Sequence, residues 1–178
     1  MQSVSELING FSRLKVLIIG DLMIDSYTWG RVSRISPEAP VPVVNVIRRE
    51  SRLGGAGNVV LNISSLGATA VICSVIGDDA PGRELQKITL DANLSTEGLI
   101  VESGRMTTVK ERIIAGSQQV VRVDSETENS ISLSSQQALL AHIKDSISDV
   151  DVIIFEDYDK GVLTPTFIKA AIAICTER

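Results

Sequence analysis

The sequence contains few of the residues that metal sites and disulfide frameworks require. Its two cysteines, Cys73 and Cys175, lie far apart and form no Cys-x-x-Cys pair, and His142 is its only histidine. We therefore expect both cysteines to be reduced and buried, as in a cytoplasmic protein. We expect the histidine to have a structural or surface role, and we predict no metal site.

The chain also lacks the charge and the long apolar runs of two further protein classes. Its net charge of −5 provides no broad positive surface for a nucleic acid. The longest apolar run near the N-terminus, residues 16–19, is far too short for a signal peptide or a membrane span. We therefore expect neither a nucleic acid nor a membrane as a partner. One local exception is the segment 31–52, in which five arginines accompany only two glutamates.

Aromatic residues make up only 3% of the chain, whereas 44% of it is hydrophobic, and this composition suits an aliphatic α/β core. Apolar strands are predicted at 14–19, 69–76, 99–101 and 152–155, and helices at 58–66, 81–90, 133–147 and from 164 to the end. Strands that alternate with helices predict a doubly wound, mostly parallel sheet.

Two extended stretches interrupt this alternation, at residues 27–47 and 107–123. Both have alternating patterns, so we predict that they form a small sheet outside the main one, which would act as a lid over a ligand. Pro42 places its strand at a sheet edge. An antiparallel extension of the main sheet is the alternative.

Two glycine-rich segments have the spacing of nucleotide-binding loops but lack the residues that such loops need. Residues 55–60 have valine at the sixth position of GxGxxG, and the charged residues 48–52 separate them from the preceding strand. Residues 77–82 have P-loop spacing, but Arg83 and Glu84 follow in place of Lys and Ser or Thr. We therefore predict neither a dinucleotide site nor a P-loop.

The segment 54–58, Gly-Gly-Ala-Gly-Asn, permits two interpretations on local grounds. Glycines allow a ligand to approach the backbone closely, and the Asn58 amide can both donate and accept hydrogen bonds, as sugar hydroxyls require. Alternatively, Gly54 and Gly55 form a tight turn and Asn58 caps the following helix. The local sequence does not decide between them.

The wider spacing of this segment resembles the N-terminal signature of the ribokinase, or PfkB, family of carbohydrate kinases. Gly67 and Gly77 follow Asn58 at the expected distances, although Val60 replaces the small residue usual in the family. The resemblance covers about residues 10–178.

Three further motifs resemble the branch of this family that phosphorylates heptose 7-phosphate. They are GDLMIDSYTWGRVSRISPEAPVPVV at 20–44, VKERIIAGSQQVVRVDSE at 109–126 and IIFEDYDKGVLT at 153–164. The resemblance implies an ATP- and Mg²⁺-dependent kinase that makes the 1,7-bisphosphate for ADP-heptose and lipopolysaccharide core synthesis. It also implies a lid that often forms the dimer contact, and the apolar edge at 41–47 likewise predicts a homodimer through the lid.

The resemblance further implies a set of substrate-binding residues. Asp25 would bind sugar hydroxyls, with Gly54, Gly55 and Asn58 in the sugar-binding loop and Asp157 and Lys160 in the "DYxKG" element. Guanidinium groups bind phosphate with paired donors, so Arg31, Arg34 and Arg112 are candidates for the acceptor's phosphate, with Lys110 behind them. Alternatively, these arginines are solvated charges on strand faces.

The family's catalytic base, an aspartate in a later "GxGD" element, has no counterpart in this chain. We therefore predict no catalytic residue here and interpret residues 1–178 as the N-terminal, sugar-binding part of a ribokinase-like kinase domain. Two alternatives are another sugar or nucleoside kinase of the family and a non-catalytic module for sugar binding or dimerisation.

Overall fold

The computed structural model describes residues 3–176, which form two sheets with flanking helices. The strands are β1 (Lys15–Gly20), β2 (Leu22–Ile35), β3 (Pro42–Gly55), β4 (Thr69–Gly77), β5 (Leu99–Glu102), β6 (Val109–Ala115), β7 (Gln118–Ser125) and β8 (Val152–Glu156). The helices are α1 (Val4–Phe11), α2 (Ala56–Ser65), α3 (Ala80–Asp91), α4 (Leu133–Ser146) and α5 (Pro165–Thr176), and a 3₁₀ turn covers Ile147–Asp149.

The main sheet has the strand order β5-β4-β1-β8, and all its strands are parallel. Alternate residues of β1 enter opposite cores: Ile18 packs in the cluster that contains Val60 of α2, whereas Ile19 packs in the cluster that contains Phe167 of α5. Burying each such side chain contributes about 1.5–3 kcal/mol. The predicted doubly wound parallel sheet is confirmed.

The stretches predicted at 27–47 and 107–123 form a separate sheet with the order β3-β2-β6-β7. In this second sheet β2 pairs antiparallel with β3 and parallel with β6, and β6 pairs antiparallel with β7. The alternative, an extension of the main sheet, is therefore wrong. Pro42 begins the edge strand β3, as predicted.

The second sheet is longer than the sequence pattern indicates. Strand β2 begins at Leu22, five residues before the predicted start, and β3 continues to Gly55. The charged residues 48–52, interpreted as a connection, therefore lie within a strand. Burial along β2 decreases from Leu22, which is 4% exposed, to Ile35, which is 59% exposed. The sheet thus begins in the core and projects into solvent.

The P-loop-like turn at 77–82 is a capped connection between β4 and α3. Asp79 is the N-cap of α3, and its carboxylate accepts hydrogen bonds from the Gly82 N–H at 2.8 Å and from the Thr107 N–H at 2.9 Å. Burial raises the pKa of Asp79, but hydrogen bonds from Thr107 and Gly82 outweigh this effect and lower it. The turn therefore anchors the segment that leads into β6.

Several smaller predictions are also resolved. The prediction that both cysteines are buried is confirmed for Cys73, whose burial raises the pKa of its thiol to about 12, and is wrong for Cys175, which is only partly buried. His142 lies on α4, with Nε2 3.4 Å from the Ser146 hydroxyl. The final helix was predicted to run to the end of the chain, but residues 177–178 lie outside the described part. Within residues 3–176, every helix is too short or too polar to cross a bilayer.

Candidate functional site

A single buried aspartate joins the two sheets at the carboxyl end of β1. Asp21 is the one residue between β1 and β2 and is 2% exposed. Its side-chain oxygens accept hydrogen bonds from the backbone N–H groups of Tyr158 at 2.9 Å, Lys160 at 3.1 Å and Val162 at 3.2 Å. Its main-chain carbonyl accepts one from the Ala56 N–H at 2.9 Å. Asp21 therefore fixes the loop after β8 and the start of α2 against β1. The sequence motifs did not identify this role.

Gly54 and Gly55 are required because atoms of Asp21 and Asp25 lie too close to their backbone to leave room for a side chain. Gly55 has a φ of +57°, and a Cβ atom there would lie 2.3 Å from the Asp21 carbonyl oxygen. A Cβ atom on Gly54 would lie 2.6 Å from Oδ2 of Asp25. Any side chain at either position would displace the backbone or Asp25. Their contact with a sugar stays a prediction.

Asp25 lies on β2 beside Gly54 and has an arginine partner from the neighbouring strand. Nη1 of Arg112, on β6, donates a hydrogen bond to Oδ1 of Asp25 at 2.5 Å, and the Asp25 side chain is 23% exposed. This hydrogen bond raises the pKa of Arg112. The structure thus brings together three of the predicted residues, a carboxylate, a guanidinium and a glycine, at one accessible position.

The face of the second sheet that carries Asp25 continues as a layer of aromatic and arginine side chains. The rings of Tyr27 and Trp29 stack with their centroids 5.5 Å apart. The Arg48 guanidinium lies 3.9 Å from the Trp29 ring centroid, and that of Arg52 lies 5.2 Å from the Tyr27 centroid. Sequence reasoning missed Arg48 and Arg52 as site residues because it did not place them within a strand.

Lys160 reaches the same region through a network of ion pairs. Its Nζ lies 3.3 Å from Oε1 of Glu126, whose Oε2 lies 2.7 Å from Nζ of Lys110. Lys110 also lies 3.3 Å from Asp124. The hydrogen bond from Lys110 is the main cause that lowers the pKa of Glu126. Glu126 therefore connects the second sheet to the loop after β8, where Lys160 is held.

Four other predicted residues are exposed at the surface. Arg31 and Arg34 are exposed on the outer half of β2, roughly 20 and 30 Å beyond Asp25 at about 3.3 Å per residue. Asn58 is exposed, and because Gly55 is the N-cap of α2, without a side-chain hydrogen bond, the capping interpretation of Asn58 is wrong. Asp157 is exposed and accepts a hydrogen bond from the N–H of Asp159 at 2.9 Å.

Comparison with known proteins identifies the family. A family model described as pfkB family carbohydrate kinase matches residues 13–176.

The chain belongs to the pfkB family of carbohydrate kinases.

Its relatives include two bacterial proteins named bifunctional protein HldE. The one from Citrifermentans bemidjiense is 48% identical over 157 residues, which cover 88% of this chain and 32% of the relative. The one from Pelobacter propionicus is 43% identical over 172 residues, which cover 97% of this chain and 35% of the relative. The chain thus spans about a third of the length of these relatives.

Solved structures of carbohydrate kinases share the pfkB fold of this chain at low sequence identity. Phosphofructokinase-2 of Escherichia coli, in its tetrameric inhibited form, matches with a TM-score of 0.66 and 15% identity over 92% of this chain and 51% of that one. A carbohydrate kinase from Agrobacterium tumefaciens matches with a TM-score of 0.58 and 18% identity over 92% of this chain and 50% of that one.

The described residues 3–176 contain neither a cluster of metal-binding side chains nor a P-loop. Among residues 3–176, no group of three or more His, Cys, Asp or Glu side chains is arranged to bind a metal ion. The glycine turn at 77–82 lacks the lysine of a P-loop and is occupied by the Asp79 hydrogen bonds. The Asp25 carboxylate can accept hydrogen bonds from hydroxyl groups, and the neighbouring guanidinium groups can donate them to anionic groups.

The Asp21→Asn variant tests the role of this residue at the junction. The asparagine keeps one acceptor oxygen, but its NH2 group replaces the other and faces backbone N–H donors, so we expect the free energy of unfolding to fall by about 2–3 kcal/mol. Urea denaturation followed by circular dichroism measures this change. The control is Asp157→Asn in the same loop, whose exposed side chain should change stability by less than about 0.5 kcal/mol. Equal effects of the two variants would contradict the role assigned to Asp21.

Proposed function

We propose that this chain is the sugar-binding part of an ATP-dependent kinase that phosphorylates heptose 7-phosphate to the 1,7-bisphosphate. The observation that carries the proposal is the position of Asp25. Its Oδ1 is held by Arg112, its Oδ2 lies against Gly54, and its side chain is 23% exposed. A carboxylate that accepts two hydrogen bonds can hold adjacent hydroxyls of a sugar.

The sequence motifs and the relatives support the heptose substrate. The segments 20–44, 109–126 and 153–164, which resemble the heptose branch, supply Asp25, Arg112 and Lys160 to the same region of the structure. Relatives that are 42–48% identical share one name, bifunctional protein HldE. Another sugar kinase of the family remains the second candidate, since the low-identity neighbours include phosphofructokinase-2.

In this proposal the nucleotide and the catalytic base belong to residues outside this chain. ATP and Mg²⁺ supply the transferred phosphoryl group and its charge neutralisation. The residues present here bind and orient the acceptor sugar, with Asp25 on its hydroxyls. The reduced, buried Cys73 is consistent with a cytoplasmic site of action.

A kinase assay tests whether residues 1–178 bind the sugar but lack the catalytic base. We expect no detectable ADP release with heptose 7-phosphate and Mg-ATP from residues 1–178 alone. A protein translated from the complete gene, through an in-frame GxGD element, should turn over. The base and the anion-stabilising amides each contribute about 10²-fold or more, so their absence removes several orders of magnitude in rate. Comparable rates from the two proteins, or a stop codon directly after Arg178, would contradict the proposal.

We also propose that the protein forms a homodimer through the outer part of the second sheet. Apolar side chains are exposed there: Val32, Ile35, Val41, Val46, Ile47, Val120, Val121 and Val123. An exposed apolar sheet edge favours pairing with another chain.

Light scattering combined with size-exclusion chromatography tests the dimer. We expect the mass of a dimer for the protein, and we expect Ile47→Lys on the edge strand β3 to shift the population towards the monomer by placing a charge in the apolar contact. A monomeric mass for the unmodified protein would exclude this association.

A further inference from the structure

Two arginines from different strands flank a single aromatic ring beside Asp25. Strand β2 lies between β3 and β6, and Tyr27 pairs with Glu50 on one side and with Arg112 on the other. The guanidinium of Arg52 lies 5.2 Å from the Tyr27 ring centroid, and that of Arg112 lies 5.3 Å from it. Two positive groups therefore converge on one ring at the centre of the sheet face.

We infer that Arg52 and Arg112 form a phosphate subsite over Tyr27, with Arg48 on Trp29 as an outer contact, and that this subsite selects a phosphorylated acceptor. This inference rests on the proposed function, since it concerns the sugar held by Asp25. Paired guanidinium groups present several N–H donors to phosphate oxygens, which gives both affinity and orientation.

The aromatic rings hold the guanidinium groups in place before a ligand binds. Arg48 lies 3.9 Å from the Trp29 ring centroid, and Tyr27 stacks on Trp29. Contact with a ring face leaves the N–H groups at the edge of a guanidinium available for hydrogen bonds. Less side-chain freedom is then lost when an anion binds, so the subsite is preorganised.

A carboxylate already lies between two of these arginines. Glu50 accepts a short hydrogen bond from Nε of Arg52, and its other oxygen lies 3.6 Å from Nη2 of Arg48. The arrangement shows that one anionic group can engage both guanidinium groups. The side chains of Arg48 and Arg52 are 61% and 58% exposed, so a phosphate can reach them from solvent. With its greater charge, a phosphate can share or replace this contact.

The inferred subsite keeps Arg112 from the arginines chosen from the sequence and differs from that choice in the others. Arg31 and Arg34 lie roughly 20 and 30 Å along β2 from Asp25, whereas Arg112 is bonded directly to Asp25. Arg52 pairs opposite Asp25 in the β2–β3 register. A sugar whose hydroxyls contact Asp25 therefore has its phosphate within reach of Arg52 and Arg112, and not of the outer arginines.

Isothermal titration of the protein translated from the complete gene, without ATP, tests this subsite with heptose 7-phosphate and heptose. Losing one charge-assisted contact weakens binding by about 10- to 100-fold. We expect Arg52→Gln to lose this much affinity for heptose 7-phosphate and to keep its affinity for heptose. The matched control is Arg49→Gln on the same strand, because Arg49 pairs with Thr28, one position away from Tyr27, and so lies on the opposite face. Both affinities should be unchanged in this control, and thermal melting should show both variants folded.

The outcomes separate this inference from the proposed function. If the unmodified protein binds neither sugar, the proposed function is wrong, and so is the inferred phosphate subsite. If it binds heptose and heptose 7-phosphate equally well, or if Arg52→Gln weakens both equally, the subsite is wrong while sugar binding stands. A selective loss of heptose 7-phosphate affinity in Arg31→Gln, with none in Arg52→Gln, would also overturn it. Selective loss in Arg52→Gln alone supports it.

Discussion

The hydrogen bonds of the buried Asp21 carboxylate are the constraint on which the rest of the site depends. A carboxylate that is 2% exposed must find donors, because burying it without partners costs several kcal/mol. It finds them in three backbone N–H groups of the loop after β8. Since Asp21 is also the single residue between β1 and β2, the same side chain fixes where the second sheet leaves the core. Loop and second sheet are therefore positioned together.

Two sets of charged side chains lie on the surface near this junction. In the first set, Glu126 forms ion pairs with Lys110 of β6 and with Lys160 of the loop after β8, and so joins the second sheet to the main body of the protein. In the second set, Arg112 pairs with Asp25 and also lies over the Tyr27 ring, next to the other stacked rings and guanidinium groups of the same face. The exposed members of such networks add little stability in water. In the proposed function these groups bind the acceptor sugar.

The sequence predicted the architecture well because periodicity and burial determine it directly. Apolar strands such as β1 and β4, with helices between them, can bury both faces only in a parallel sheet. The bounds of β2 and β3 were less accurate, because four of the five residues at 48–52 are charged, and this segment resembles a loop until it pairs with residues 25–29. The role of Asp21 could not be predicted, since its donors lie more than 130 residues away. Arg52 was not among the predicted site residues because the register that places it opposite Asp25 was unknown.

A crystal structure of the protein with heptose 7-phosphate tests the central claim most directly, namely that Asp25 and the adjoining arginines form one acceptor site. The account predicts sugar hydroxyl oxygens at about 2.6–3.2 Å from the Asp25 carboxylate, with the phosphate in contact with Arg52 and Arg112 over the Tyr27 ring. A sugar bound elsewhere, with Asp25 still paired only to Arg112 and no ligand oxygen within hydrogen-bond distance, would contradict it.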